Sequence, residues 1–162
     1  MKLLIISDTH SPTRKYLDIV EFIQNYNYDL LIHCGDFDKM ETYLAIFGIA
    51  GKKLVCVHGN SDEDLLKRLL PESKLIEYKT YRIGIVHSNQ IYPRGDKQQL
   101  VEYALNNGLD VLIYGHTHVK SIIKYYNGIF SYENELADLG SGVVYLVNPG
   151  SLLNGDYLYL NI

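Results

Sequence analysis

The sequence has few cysteines, and they lack metal-binding spacing. Cys34 and Cys56 each lie near the end of an apolar run, and neither belongs to a CxxC motif. We therefore expect buried, reduced thiols and no disulfide framework.

Runs of basic residues are also absent. The chain has 15 Lys and Arg against 19 Asp and Glu, which gives a formal net charge of −4. A protein that grips long DNA or RNA through many phosphates needs a concentrated positive surface. This argues against long nucleic acid as a partner and disfavours a nuclease acting on it. A small anionic substrate remains compatible, because metal ions could supply the positive charge.

No long hydrophobic run precedes the first polar residues. MKLLII, residues 1 to 6, meets Ser7, Asp8 and His10 too soon for a signal peptide or a membrane span. We expect a cytoplasmic protein with no membrane partner. The 162 residues contain no internal repeat or linker, and such a length suits one domain, residues 1–162, that buries roughly 70% of its unfolded surface.

Short apolar runs alternate with segments of helical period in the first half of the chain, as in βαβ units with a parallel sheet. The runs at 3–6, 29–33, 53–57 and 111–114 are apolar almost throughout. Strands covered on both faces have this pattern. These four runs are the predicted central strands.

Apolar stripes and terminal signals predict four helices. The first has an inward stripe of Tyr16, Ile19, Val20 and Ile23, and the second runs from a capping box of Asp38 and Glu41 to Gly48. The third is capped by Ser61 or Asp62 and ended by Pro71. The fourth extends from Asp96 to Asn107, before Gly108.

The remaining strand signals predict a hairpin and a strand-rich tail. LIEY and RIGIVH flank a hinge near Thr80, which suggests the hairpin. After His118, the segments SIIKYY, GVVYLV and YLYL are separated by Gly, Asn and Asp. We expect this tail to complete a second sheet.

Polar and titratable residues follow five of the predicted strands. Ligands of parallel α/β sheets bind outside the carboxyl ends of the strands, where these residues lie. The five blocks are Ser7-Asp8-Thr9-His10, Cys34-Gly35-Asp36, His58-Gly59-Asn60-Ser61-Asp62, His87, and Gly115-His116-Thr117-His118.

The residue types in these blocks indicate a metal centre. Ligands two residues apart, such as His116 and His118, can both turn toward one site where a strand gives way to a loop. Mixed Asp, Asn and His ligands suit Mn²⁺, Fe²⁺, Co²⁺, Ni²⁺ or Zn²⁺. Glycines at 35, 59 and 115 would let the backbone turn sharply. Taken singly, each block is compatible with ordinary turn chemistry, whereas the ordered set favours metal binding.

The ordered blocks resemble the calcineurin-like metallophosphoesterases, whose pattern is D-x-H, GD, GN-x-[D/E], a lone His and GH-x-H. All five occur in that order between residues 8 and 118. More narrowly, IVHSNQIYPRGD and VNPGS, residues 147 to 151, are similar to stretches in the small archaeal and bacterial phosphodiesterase branch related to YfcE and the retromer subunit Vps29.

This resemblance implies an α/β fold, a four-layer α-β-β-α sandwich of two mixed β-sheets flanked by helices. It implies two divalent metal ions per chain, with Mn²⁺ favoured and Ni²⁺, Fe²⁺, Co²⁺, Zn²⁺ or Mg²⁺ compatible. The implied ligands are Asp8, His10 and His118 for one ion, Asn60, His87 and His116 for the other, and Asp36 as the bridge between them.

The implied activity is hydrolysis of a small phosphoester by a hydroxide that bridges the two ions. Asn60 would be the catalytic side chain that orients the phosphate. Ser61 and Asn89 stand where many relatives have histidines, so protonation of the leaving oxygen lacks an imidazole. Phosphodiesters with good leaving groups are therefore the favoured substrates.

Two histidines and one turn-like segment lie outside the implied ligand set. His33 has the structural interpretation of a strand-end residue, and His58 is unassigned. Asn148-Pro149-Gly150 fits a plain turn, although a similar segment lies near the site in the family.

The alternative function is a Vps29-like protein-interaction scaffold with vestigial or no catalysis. Seven metal-competent residues favour the enzyme. The sequence leaves open the natural substrate, the native metal and the oligomeric state, with a homo-oligomer compatible.

Overall fold

Two mixed β-sheets form the centre of the molecule, and helices cover their outer faces. The computed structural model describes residues 1–10 and 16–162. The helices are α1 (Tyr16–Gln24), α2 (Met40–Ala50), α3 (Asp64–Leu69) and α4 (Lys97–Asn106), with 3₁₀ turns at Gly51–Lys53 and Leu152–Asn154. The strands are β1 (Lys2–Ile6), β2 (Leu30–His33), β3 (Leu54–Cys56), β4 (Ser73–Tyr78), β5 (Tyr81–Val86), β6 (Val111–Tyr114), β7 (Ser121–Tyr126), β8 (Ile129–Glu133), β9 (Val143–Asn148) and β10 (Leu158–Asn161).

Both sheets combine parallel and antiparallel pairs. The first sheet has the order β10-β1-β2-β3, in which β1, β2 and β3 are parallel and β10 is antiparallel to β1. The second has the order β4-β5-β6-β9-β7-β8. Its central strands β5, β6 and β9 are parallel, and antiparallel strands flank them. This architecture confirms the expected fold class.

The continuous apolar runs are buried on both faces because each strand packs on two layers. In β1, Leu3 and Ile5 face the second sheet, whereas Leu4 and Ile6 pack beneath the helices. A third cluster joins the outer face of the second sheet to Leu100 and other residues of α4. Side chains alternate between the faces of a strand, so an uninterrupted apolar run fills two cores at once.

Strand pairing differs from the sequence prediction in three places. The run at 111–114 is β6 of the second sheet, so it does not join the strands of the first. The last strand, β10, pairs with β1 in the first sheet and does not complete the second. Strand β8 was not predicted, and it forms the edge beside β7. The apolar pattern of a strand indicates that it is buried, but it does not indicate which strand pairs with it. These pairings are therefore known only from the tertiary structure.

Three predicted helix ends are wrong. The N-cap of α2 is Lys39, without a capping side chain, and the helix continues past Gly48 to a C-cap at Gly51. Gly51 has a φ of +53°, a conformation that glycine adopts readily. The N-cap of α3 is Glu63, so neither Ser61 nor Asp62 caps it. Their side chains bond elsewhere, as described below.

The predicted cap of α4 and two buried positions of the α1 stripe agree with the structure, whereas Val20 of that stripe is only half-buried. The Asp96 side chain caps α4 by accepting a hydrogen bond from the Gln99 backbone N–H. Ile19 and Ile23 of α1 are buried as predicted, while the Tyr16 side chain lies outside the described residues.

The two cysteines are free and buried, as expected. Burial raises the pKa of Cys56 to about 12, so its thiol stays protonated at neutral pH. Within residues 1–10 and 16–162, the helices lack the length and apolar character that crossing a bilayer requires.

Candidate metal centre

The five polar blocks meet at one edge of the two sheets. Backbone hydrogen bonds join the first two blocks, from Asp8 N to Gly35 O at 3.0 Å and from His10 N to Asp36 O at 3.0 Å. The Asp8 carboxylate accepts a bond from the backbone N–H of His116 at 3.1 Å, which ties in the block that follows β6. Strand ends from different sheets therefore converge because their loops bond to one another.

The first group of candidate ligands consists of Asp8, His10 and His118. One ligand atom from each lies within 4.8 Å of the others. His118 Nε2 is 2.9 Å from Asp8 Oδ1. Asp8 is fully buried and accepts a further bond from the Ser7 hydroxyl at 2.6 Å, so its carboxylate is held in place. This grouping matches the ligand set implied for one ion.

The second group consists of Asp36, His87 and His116, whose ligand atoms also lie within 4.8 Å of one another. His87 Nε2 is 3.2 Å from Asp36 Oδ2 and 3.1 Å from Asn60 Oδ1. All four side chains predicted around the second ion, including the aspartate predicted to bridge, are thus brought together.

Hydrogen bonds assign the ring tautomers of two histidines. His10 Nδ1 lies 2.9 Å from Asp38 Oδ1, and His87 Nδ1 lies 2.7 Å from the Cys34 carbonyl oxygen. Both partners are acceptors, so each Nδ1 carries a proton and donates. In the neutral rings, each Nε2 then has a free lone pair, as a metal-binding histidine requires.

The surroundings of His87 Nε2 fit a cation. In the neutral tautomer its lone pair faces two oxygens, Asp36 Oδ2 and Asn60 Oδ1, at 3.2 and 3.1 Å. Three electron-rich atoms that converge without a proton between them repel one another. A divalent ion or a proton on the ring removes this repulsion, and carboxylate, amide and imidazole are ligand types that borderline divalent ions accept.

The charges in the second group perturb one another. Burial lowers the pKa of His87, but the hydrogen bond and charge of Asp36 outweigh burial and raise it overall. For Asp36, burial raises the pKa, whereas His87 and the bonds from Ser61 hold it well below its usual range. Burial, followed by the charges of His87 and Arg94, lowers the pKa of His116. Closely coupled groups of this kind are common at functional sites.

Unusual backbone conformations concentrate at the same edge. Non-glycine residues with positive φ cost on the order of 1 kcal/mol each and persist only where the surroundings enforce them. Of ten such residues among those described, seven belong to these loops: Asp8, His10, Asp36, Asp38, Ser88, His116 and His118.

Two of the three strand-end glycines allow atoms of neighbouring loops to approach closely, whereas we expected them to allow sharp turns. A Cβ at Gly59 would lie 2.1 Å from Asp36 Oδ1, and one at Gly115 would lie 2.2 Å from Ser7 Oγ. Neither has positive φ, whereas Gly35 does, at +95°. Gly59 and Gly115 therefore let neighbouring loops pack against the carboxylates.

Two aspartates outside the predicted ligand set position the loops. Asp38 binds His10, and Asp62 accepts bonds from the backbone N–H groups of Gly59, Asp36 and Asp38 at 2.7, 3.3 and 2.8 Å. Sequence reasoning took both for helix caps. Asp62 occupies the acidic position of the GN-x-[D/E] pattern, and that signal could have identified it.

The segment Asn148–Ser151 supports the site and is more than a plain turn. Asn148 Nδ2 donates to Gly115 O at 3.1 Å and to Thr117 Oγ1 at 2.9 Å, and the Ser151 hydroxyl donates to Asp8 O at 2.9 Å. The segment thus connects the first polar block to the last.

His33 lies between the loops without joining either group of candidate ligands. Its Nδ1 accepts from Gly35 N at 3.1 Å, its Nε2 is 3.0 Å from Thr9 Oγ1, and its ring stacks on Phe37 at 3.6 Å. Burial, with the charge of His87, lowers the pKa of His33 to about 3. The ring is therefore neutral and its nitrogens are occupied, in agreement with the structural interpretation.

His58 and Ser61 flank Asn60. His58 is half-buried, and its Nδ1 lies 3.4 Å from Gly59 O. The Ser61 backbone N–H and hydroxyl donate to the two oxygens of Asp36, each at 2.9 Å. Ser61 therefore orients the carboxylate predicted to bridge the ions.

Comparison with known proteins agrees with the resemblance seen in the motifs. Residues 1–156 match the calcineurin-like phosphoesterase superfamily domain. A probable metallophosphoesterase from Methanocaldococcus jannaschii is 38% identical over 123 residues, which make up 75% of this chain and 61% of that protein's length. A phosphodiesterase from the same archaeon is 30% identical over 125 residues, covering 73% of this chain and 74% of the relative.

Solved structures share the fold. Wild-type Vps29 from Entamoeba histolytica, complexed with Zn²⁺, superposes with a TM-score of 0.67 and 28% identity, covering 93% of this chain and 74% of its own. YfcE, a phosphoesterase from E. coli, superposes with a TM-score of 0.62 and 19% identity over 94% of this chain and 80% of its own.

Proposed function

The chain belongs to the calcineurin-like phosphoesterase superfamily, and we propose that it is a phosphodiesterase that works with two divalent metal ions. The observation that carries the proposal is the pair of adjacent donor groups, Asp8-His10-His118 and Asp36-His87-His116. Hydrolysis of phosphoesters is the activity of the superfamily, and the 30% identical archaeal relative is a phosphodiesterase.

Asp8, His10 and His118 would hold one ion, and Asn60, His87 and His116 the other. Asp36, whose carboxylate lies in the second group, would be the bridge that the resemblance to the family assigns. Bound divalent ions of this kind lower the pKa of a water molecule and neutralise phosphoryl oxygens. Mn²⁺ is the favoured ion on ligand type.

The protein's own side chains prepare the site before substrate binds. Asp38 and the Cys34 carbonyl fix the tautomers of His10 and His87, and Ser61 fixes both oxygens of Asp36. Asn60 is exposed. Its side-chain oxygen faces His87, and its NH₂ group would be free to donate to a phosphate oxygen.

Preference for good leaving groups follows from the residue beside Asn60. The Ser61 hydroxyl already donates its proton to Asp36 at 2.9 Å, and a serine hydroxyl is a poor acid at neutral pH. A departing alkoxide would lack general acid assistance, which is typically worth about 10²–10⁴-fold in rate. Aryl esters, whose leaving groups are stable as anions, would not need it.

A pair of substrates with one leaving group tests the proposal. With Mn²⁺, the protein should hydrolyse bis(4-nitrophenyl) phosphate with a higher kcat/KM than 4-nitrophenyl phosphate, and EDTA should abolish both reactions. Equal or reversed selectivity would contradict the diester preference, while no metal-dependent turnover of either compound would contradict the enzyme assignment.

The alternative function is a Vps29-like interaction scaffold, supported by 28% identity to a Vps29 structure. That Vps29 is complexed with Zn²⁺, so metal binding alone does not separate the two functions. Turnover does. Metal binding without hydrolysis of activated diesters or monoesters would favour the scaffold.

A further inference from the structure

A cavity of about 340 Å³ lies beside the loop that carries His116 and His118. Its residues Tyr114 and Ile123 belong to the face of the second sheet that packs against α4. Its wall contains Thr117, the residue between these two histidines. Its volume lies in the range of small-molecule sites. Its lining residues are Arg94, Gly95, Lys97, Tyr114, Thr117, Val119, Ser121, Ile123 and Tyr132.

One arginine connects this cavity to the candidate metal centre. Arg94 lines the cavity, and its Nη2 donates to the backbone carbonyl oxygen of His116. Gly95, the next residue, packs against Thr117, since a Cβ there would lie 3.0 Å from Thr117 Cγ2. The side chain of one arginine therefore spans the distance between the cavity and a predicted metal ligand.

Two cationic side chains line the cavity. Arg94 and Lys97 line it, and no carboxylate among residues 1–10 and 16–162 forms a salt bridge with either. Lys97 Nζ donates to the Tyr132 hydroxyl at 2.7 Å and lies 4.5 Å from the centre of its ring, which holds the cation at the wall.

The rest of the wall suits an organic group. Val119 and Ile123 provide apolar surface, and Tyr114, Thr117 and Ser121 provide hydroxyl groups. A moiety with apolar and polar parts fits such a lining, while a phosphate fits the cations, because ammonium and guanidinium groups form strong charge-assisted bonds to phosphate oxygens.

We propose that this cavity binds the ester substituent retained on the reacting phosphate, and that Arg94 and Lys97 select substituents that carry a second phosphate, such as a phosphorylated nucleoside. The inference rests on the proposed phosphodiesterase activity and adds the substrate class. Arg94 and Lys97 are specificity residues, whereas the reacting phosphate is held at the metal centre.

Two substrates that differ by one phosphate test this. Thymidine 5′-(4-nitrophenyl phosphate) and its 3′-phosphorylated form have the same leaving group and the same nucleoside. The wild-type protein with Mn²⁺ should cleave the 3′-phosphorylated compound with a kcat/KM about tenfold higher, since a charge-assisted hydrogen bond contributes at least that factor. The difference should lie mainly in KM, because the second phosphate does not react.

Variants assign the preference to the cavity. Lys97→Met should remove most of it and leave cleavage of the 3′-unphosphorylated compound within about twofold, and Arg94→Met should act in the same direction. Lys52→Met is the matched control, since Lys52 is exposed in the 3₁₀ turn after α2, and it should keep the full preference.

The outcomes separate the inference from the function on which it rests. Equal kcat/KM for both compounds in the wild-type protein, or an equal loss on both in Lys97→Met, would overturn the cavity's role and leave the phosphodiesterase proposal standing. Failure to cleave either thymidine ester, in a protein that hydrolyses bis(4-nitrophenyl) phosphate, would overturn the inference alone. Failure on all three compounds at any Mn²⁺ concentration would overturn both.

Discussion

Replacing Asp38 by asparagine should weaken metal binding without disturbing the fold. Asp38 Oδ1 lies 2.9 Å from His10 Nδ1, and this bond fixes the tautomer that presents Nε2 to an ion. Asparagine keeps an acceptor oxygen and adopts the observed φ of +65° more readily than most residues. The substitution therefore removes mainly the negative charge behind the imidazole.

The expected magnitude follows from the contact and its exposure. Loss of a partner that orients a metal-binding histidine typically costs about 10–100-fold in metal affinity. The side chains of His10 and Asp38 are 24% and 27% exposed, so solvent screens part of the charge. We therefore expect the lower end, about tenfold or about 1.4 kcal/mol, for one of the two ions.

Calorimetric titration of metal-depleted protein with Mn²⁺ measures this effect, and the Mn²⁺ dependence of diester hydrolysis provides a second measurement. The matched control is Asp29→Asn. This exposed carboxylate also accepts one hydrogen bond, from Lys2 N at 2.7 Å, but lies outside both candidate ligand groups. If Asp38→Asn and Asp29→Asn both bound Mn²⁺ as the wild type does, the role assigned to Asp38 would be refuted.

Three further predictions concern the centre of the site. Asp36→Asn should reduce hydrolysis of bis(4-nitrophenyl) phosphate to background, because both proposed ions share this carboxylate. His33→Gln should retain most activity, since the partners of His33 are Gly35 and Thr9. Equal losses in the two variants would contradict these assignments. Across aryl and alkyl diesters, kcat/KM should fall steeply as the leaving-group pKa rises. Ser61→Ala should lower kcat/KM for all of these diesters without changing its dependence on leaving-group pKa. A flat dependence in the wild-type protein, with chemistry rate-limiting, would mean that another acid protonates the leaving group. Without metal, the free energy of unfolding should fall as pH drops below 6.5, because the unfolded chain protonates at His33 while the folded ring keeps a pKa of about 3. The contribution of His33 is about 1.4 kcal/mol per pH unit between its folded and unfolded pKa values. Urea titrations at several pH values should show that His33→Gln lacks this contribution. An identical pH dependence of the free energy of unfolding in the variant and the wild type would contradict the prediction.

The sequence alone located most strands and the candidate site residues because those signals are local, whereas the four-layer architecture was implied by the resemblance to the family. The run at 3–6 is apolar at every position and the run at 29–33 at its three central positions, which predicts strands covered on both faces, and the structure confirms this. The polar block after each strand could be located because a change from apolar to titratable residues is visible in any single segment. The side chains so named, from Asp8 to His118, form two compact groups, although their roles as metal ligands remain predictions.

Only the tertiary structure decided which strand lies beside which and what each polar side chain contacts. Nothing in VLIY distinguishes β6 of the second sheet from a strand of the first, and YLYL does not indicate that it pairs with β1. The same ambiguity misassigned Asp38 and Asp62, because a carboxylate before a helix can cap it or bind a neighbouring loop with equal local fit. Long-range packing resolved that choice by bringing His10 and the Gly59 backbone within bonding distance of them.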